Sequence, residues 1–177
     1  MHKKVFFDVE SVWPKLEQAL RQAISNLVAM RETEGSNIYG DFIKRADLIA
    51  EKLAVIEERS PQVVEEYQTR LSDRINELLA KHNQVIEPER LLQEVAIFAD
   101  RTSITEEIVR LKSHIKQFRL IIDADQPVGR KLDFLIQEFN REANTIASKA
   151  NDYTLAQVVV EIKAEIEKIR EQIQNIE

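Results

Sequence analysis

Helix-breaking residues are so scarce in this chain, four prolines and three glycines in 177 residues, that it cannot be built from closely spaced turns. An all-β fold needs a turn signal roughly every ten residues, and nothing here supplies them. The prolines, at 14, 61, 88 and 127, suit first turns of helices, where the missing N–H costs nothing. With 44% hydrophobic and 32% charged residues and a net charge of −6, the composition fits a mildly acidic helical protein with a real core. No apolar run reaches the eighteen or so residues of a membrane span, and the start, Met1 to Asp8, meets charge too early for a secretion signal. Zero cysteines exclude disulfides, zinc knuckles and thiol nucleophiles. A cytoplasmic location is therefore expected.

Apolar spacing divides the chain. Residues 4–9 alternate weakly and read as an N-terminal arm or remnant strand, residues 1–11. From Val12 to about Arg59, Trp13, Leu16, Leu20, Ile24, Leu27, Ile38, Phe42, Ile49, Leu53 and Ile56 recur at three- and four-residue steps. This is one very long helix or two. A continuous one would reach roughly 70 Å, so breaks are expected at Gly35 and Gly40. Ser60-Pro61 reads as a cap and first-turn proline opening a second block through Val64, Tyr67, Leu71, Ile75 and Leu78. Residues 12–87 are thus expected to form a long antiparallel helical hairpin. After a polar connector, Pro88 opens a shorter helix. Ser103-Ile104-Thr105-Glu106 fits a capping box for a helix to about Ile122, and the loop from Asp123 to Gly129 precedes another, about Arg130 to Ala150.

The cleanest pattern is the last. Leu155, Ile162, Ile169 and Ile176 hold one heptad position and Val159, Ile166 and Ile173 the other, with Glu165, Lys163 and Arg170 flanking the seam. Isoleucine at both positions favours trimers or tetramers, although the same stripe also serves an intramolecular bundle. The expected fold is all-α, an elongated bundle of five to six helices with long antiparallel helices and a C-terminal heptad-patterned helix.

Charge is uneven. Residues 103–149 hold eight Lys/Arg and seven Asp/Glu, net +1, leaving −7 for the rest. Glu107, Arg110, His114 and Gln117 line one helix face. On the next helix Asp133, Gln137, Arg141 and Asn144 form one stripe, and Glu138, Glu142 and Lys149 a neighbouring one. Carboxylates four residues apart beside a histidine suit a hard divalent cation, while ordinary solvated ion pairs give the same pattern. Asn140, Asn144 and Thr145 cost about 1 kcal/mol in total against good helix formers. Such a cost suggests use. Arg130 and Lys131 beside Gly129 could meet a phosphate at a helix start. No P-loop, G-x-G-x-x-G, H-E-x-x-H or G-x-S-x-G motif occurs. His2 and His82 read as solvated, and Trp13, Phe98, Phe118, Phe134 and Phe139 as packing.

The stretches Arg31 to Gly35, Ser103 to His114, Pro127 to Phe134, Gln137 to Ala150 and Lys168 to Glu177 resemble the YicC/YloC family of bacterial proteins, over about Trp13 to Glu177. Ser103 stands where that family usually has aspartate, Phe139 where methionine is usual and Ala147 where glycine is usual. Family members normally carry a preceding domain with β structure, so this chain resembles their helical C-terminal part. The resemblance implies a metal-dependent endoribonuclease, usually with manganese (Mg2+ as the alternative), acting on RNA as a ring-like homo-oligomer, a hexamer by expectation. The catalytic candidates are then His114, Asp133, Glu138 and Glu142, with His114, Glu138 and Glu142 as metal ligands. Arg110, Arg130, Lys131, Arg141 and Lys149 are the RNA-backbone candidates. On this reading residues 88–177 form the catalytic, RNA-binding and oligomerisation region. The alternative is a non-catalytic oligomerisation and RNA-docking module.

Overall fold

The computed structural model describes residues 9–80, 87–124, 126–174 and 176, and these form five α-helices without a strand among them. They are α1 (Val9–Ala80), α2 (Pro88–Arg101), α3 (Thr105–Ile122), α4 (Gly129–Lys149) and α5 (Tyr153–Ile173). The chain divides into two compact units, residues 1–41 and 42–177. The expected remnant strand lies mostly outside the described residues, as do His2 and His82.

The expected hairpin is absent. A single helix runs from Val9 to Ala80, through Gly35, Gly40 and Pro61. Two isolated glycines cost about 1 kcal/mol each against alanine, less than giving up the helical bonds around them. Pro61 is the dearer breaker, at about 3 kcal/mol in a helix interior, but the core holds the helix in phase across it. Phe42, Ala46, Ile49, Leu53, Ile56 and Val63 are all buried at steps of four, three, four, three and seven. A break at Pro61 would swing Val63 off that face. Arg59 also staples the site, donating to Gln62 at 3.2 Å and to Glu66 at 2.9 Å.

Within residues 42–177, α4 packs against both α3 and α5, and the α1 stripe closes the core. Phe118 of α3 meets Phe42 of α1 edge-on at 5.5 Å and tilts against Phe139 of α4 at 5.9 Å. Ion pairs fasten the helices at their rims: Arg45 to Glu165 at 2.8 Å, Lys52 to Glu161, and Arg59 to Asp152 at 2.8 Å. Asp152 also caps α5, accepting from the Leu155 amide at 2.9 Å. No residue of α2 is fully buried; it is held by Phe98, stacked on Tyr67 of α1 at 3.7 Å.

The heptad stripe of α5 is consumed inside the chain. Leu155, Val159, Ile162, Ile166, Ile169 and Ile173 are all buried by its own helices, and Glu165 is paired with Arg45 and Lys168. This seam therefore offers no face to a second copy. The capping box is also not formed. Ile104 is the residue before α3 and no side chain caps it; Ile104 is driven into the core at 1% exposure, and the Ser103 carbonyl accepts from Lys149.

In residues 10–41 the situation is reversed. Val12, Trp13, Leu16, Leu20, Ile24, Leu27, Val28 and Met30 are each about half exposed.

Candidate metal and RNA site

The α3 stripe and the α4 stripe face each other because the apolar residues beside them, Ile108, Leu111 and Ile115 on α3 and Leu135, Phe139, Ala143 and Ile146 on α4, are buried in the same core. Helical spacing then sets His114 opposite a glutamate pair. One ligand atom from each of His114, Glu138 and Glu142 lies within 4.8 Å of the others. Glu142 is only 3% exposed, while His114 and Glu138 are half-buried. The imidazole sits over the Phe139 ring, 6.3 Å between centroids.

Two atoms of this group lack a directed partner. His114 Nδ1 and Glu142 Oε2 are buried without a hydrogen bond. The Glu142 oxygen is compensated all the same by Arg110, whose Nε lies 3.0 Å away. Buried polar atoms are ordinarily satisfied, so the unpartnered imidazole nitrogen beside two carboxylates fits a cation. Oxygen-rich donors with one imidazole suit Mn2+ or Mg2+ better than a soft metal.

Behind the cluster lies a charged network. Arg110 binds Glu106 and Glu107 at 3.1 Å each in addition to Glu142, and Lys149 bridges Glu107 and the Ser103 carbonyl, both at 3.1 Å. Burial pushes the Glu107 carboxyl up, but its own backbone amide and the Lys149 and Arg110 cations outweigh that and hold it below the usual range. The Glu142 and Glu106 carboxylates raise the Arg110 guanidinium further above its ordinary value. Glu107, 4% exposed, is the member that sequence reading placed on the stripe without giving it a role. Its signal was available: a carboxylate three residues before Arg110, on a face that Lys149 could reach.

The other candidates stand apart. Asp133 is exposed, accepts from Gln137 at 3.0 Å, and is not in the ligand cluster. With Arg130 and Lys131 it lines an open recess of about 770 Å³ beside Ile173 and Gln174. Arg141 is exposed and lies 3.4 Å from Glu138.

A family model described as "Endoribonuclease YicC-like, C-terminal" matches residues 56–177. The chain belongs to the YicC-like family. It is 51% identical over 170 residues to the probable endoribonuclease YicC of Clostridioides difficile and 36% identical to that of Haemophilus influenzae, in each case over 96% of this chain and 58% of the relative. The chain thus spans somewhat over half the length of these YicC relatives. The YicC-like match begins inside α1 at Ile56 and takes in α2 to α5, with every residue of the ligand cluster.

Proposed function

We propose that this chain is the helical C-terminal part of a metal-dependent endoribonuclease, with His114, Glu138 and Glu142 holding Mn2+ or Mg2+. The observation that carries the reading is the convergence of those three side chains, with the buried His114 Nδ1 left without a partner. The names of the relatives supply the substrate class, RNA. A divalent cation in such a site lowers the pKa of water and offsets phosphate charge. The chain's own residues would do the rest. Arg110 and Arg141, each already beside a ligand carboxylate, steady the charge that grows on the phosphate oxygens. Glu107 and Lys149 hold Arg110 in place. Asp133 lies outside the catalytic assignment, and Arg130 and Lys131 offer backbone contacts at the start of α4. His114 could alternatively take the proton of the RNA's own 2′-hydroxyl.

The test is cleavage of an end-labelled RNA with Mn2+ or with EDTA, beside Glu138→Ala/Glu142→Ala. Metal-dependent cutting that the variant loses is expected. Ends bearing 5′-phosphate support hydrolysis, and 2′,3′-cyclic phosphate ends support the 2′-hydroxyl route. RNA bound by the wild type yet left intact would instead favour a docking and assembly role.

Self-association is part of the same proposal, a homo-oligomer and, in the fullest form, a hexamer in the cytoplasm. With the α5 seam used internally, the exposed stripe from Val12 to Met30 is the surface that supports it. Eight half-exposed side chains offer on the order of 700 Å² per copy, close to the ~800 Å² per partner of a stable interface. A second copy, presenting the same stripe, is the occupant.

A further inference from the structure

Between α4 and α5 lies an open recess of about 490 Å³ lined by Ile136, Gln137, Asn140, Arg141, Asn144, Thr145 and Arg170. None of these lining residues is acidic, although the chain carries −6 overall. Three primary amides at i, i+3 and i+7 share one strip of α4. Gln137 is bonded to Asp133, whereas neither the Asn140 nor the Asn144 carboxamide has a hydrogen-bond partner among the described residues. Asparagine is a poor helix former, and packing does not explain two of them here: Asn144 is exposed and Asn140 half-buried. Thr145, in contrast, returns its hydroxyl to the Arg141 carbonyl at 3.1 Å.

A carboxamide presents a donor and an acceptor in one plane, the pattern that pairs with the edge of a nucleobase. Arg141 and Arg170 stand at the rim, and Arg141 belongs also to the candidate metal site through Glu138. Sequence-dependent RNA recognition targets unpaired bases, whose edges are open to side chains.

We propose that this recess takes an unpaired nucleobase of the RNA, Asn140 and Asn144 reading its hydrogen-bonding edge and Arg141 and Arg170 receiving the adjoining phosphates. The inference rests on the reading that RNA is the substrate, and deepens it by naming where a base is read. Asn140 and Asn144 lie on the α5 side of α4 and the ligand carboxylates on its α3 side, with Arg141 between them on the exposed face, so the base is held around the helix from the carboxylates.

Binding measured in EDTA keeps the test independent of cleavage. Fluorescence anisotropy compares a short single-stranded RNA with an oligomer of equal length and charge built from stable abasic residues, for the wild type, Asn140→Leu/Asn144→Leu and Glu138→Ala/Glu142→Ala. Leucine is the better helix former, so the fold is not at risk. The wild type is expected to bind the RNA about tenfold more tightly than the abasic oligomer, as one good edge contact gives. The leucine variant should bind both alike, and the glutamate variant should keep the discrimination. Arg141→Gln/Arg170→Gln should weaken both oligomers and flatten the salt dependence. A leucine variant that discriminates as the wild type does, or a wild type that binds both oligomers equally, overturns the recess as a base site. If that variant also cuts RNA at unchanged positions, the endoribonuclease reading survives alone. Discrimination without cutting leaves the base site standing and removes the hydrolase.

Discussion

Arg110 on α3 and Glu142 on α4 lie 3.0 Å apart, Nε to Oε2, so the same carboxylate that could ligate a cation already faces one supplied by the protein. Two consequences follow from sharing it. The site can persist without metal, since a nearly buried carboxylate is not left uncompensated. Any metal must also compete with, or reorient, the guanidinium.

A thermal shift on adding Mn2+ reads that competition directly. The melting temperature should rise with Mn2+ concentration, by the equivalent of about 2.7 kcal/mol at a hundredfold excess over Kd. His114→Ala and Glu142→Ala should each abolish most of the rise. An unchanged shift in both variants would place the ion elsewhere.

Glu107 is a structural anchor and should behave as one. Glu107→Ala removes the buried carboxylate that Arg110 and Lys149 share, but both cations are partly exposed and Arg110 keeps Glu142, so a loss of about 1–2 kcal/mol is expected. Glu106→Ala, an exposed partner of the same arginine, should cost under about 1 kcal/mol. Urea unfolding of the two variants side by side checks the ranking.

Acid should weaken the bundle in a defined window. The Arg59 hydrogen bond holds the Asp152 carboxyl below its ordinary 3.8, and Lys168 and then Arg45 hold Glu165 below its ordinary 4.5. Each carboxyl thus binds its proton more weakly in the folded chain than in the unfolded one. The stabilisation is complete above the ordinary values and is lost as pH falls through the lowered ones. The urea midpoint should be flat from pH 7 to about pH 5.5 and should fall below about pH 4.5. Arg59→Met should reduce the Asp152 part of that fall, leaving what the Leu155 and Thr154 amides supply.

The two apolar stripes of the molecule should respond oppositely to substitution. Ile162→Ala, in the filled α5 seam, should cost about 2–5 kcal/mol and leave mass in solution governed by folding alone. Leu16→Gln/Leu20→Gln/Ile24→Gln should leave the melting of residues 42–177 nearly unchanged and shift the particle to a single subunit by light scattering. A single-subunit wild type would remove the self-association proposal.

Gly35 and Gly40 supply a test of the unbroken α1. A Cβ added at either meets nothing within 4 Å, so Gly35→Ala/Gly40→Ala should gain helix stability, by up to about 1 kcal/mol per site. A loss of helicity by circular dichroism would mean that the helix bends at those residues.

The helical class was legible because periodicity is a local signal: Ile104 to Phe118 and Leu155 to Ile173 announce their buried faces at three- and four-residue steps. The junctions were not. Pro61 and Gly35 are local objections to a helix, whereas the reason α1 continues is the phase between Ile56 and Val63, which matters only once α3 to α5 are present. The α5 heptad shows the same limit. Spacing specifies that Ile162 and Ile166 need a partner but cannot say whose helix provides it. Ser103 looked like a cap until Ile104 entered the core and Lys149 took the Ser103 carbonyl. His114, Glu138 and Glu142 could be suspected from residue type and spacing, yet Glu107 reads as solvated surface, since its second cation lies 42 positions along the chain.

The short connection after α4 is fastened on both sides, Lys149 to the start of α3 and Asp152 to Arg59. That connection acts as a ruler. It sets how far α4 can slide along α3, and so the axial level at which Glu138 and Glu142 meet His114. One residue inserted between Glu142 and Lys149 would turn the carboxylates about 100° relative to that anchor, silencing the centre without touching any residue in it.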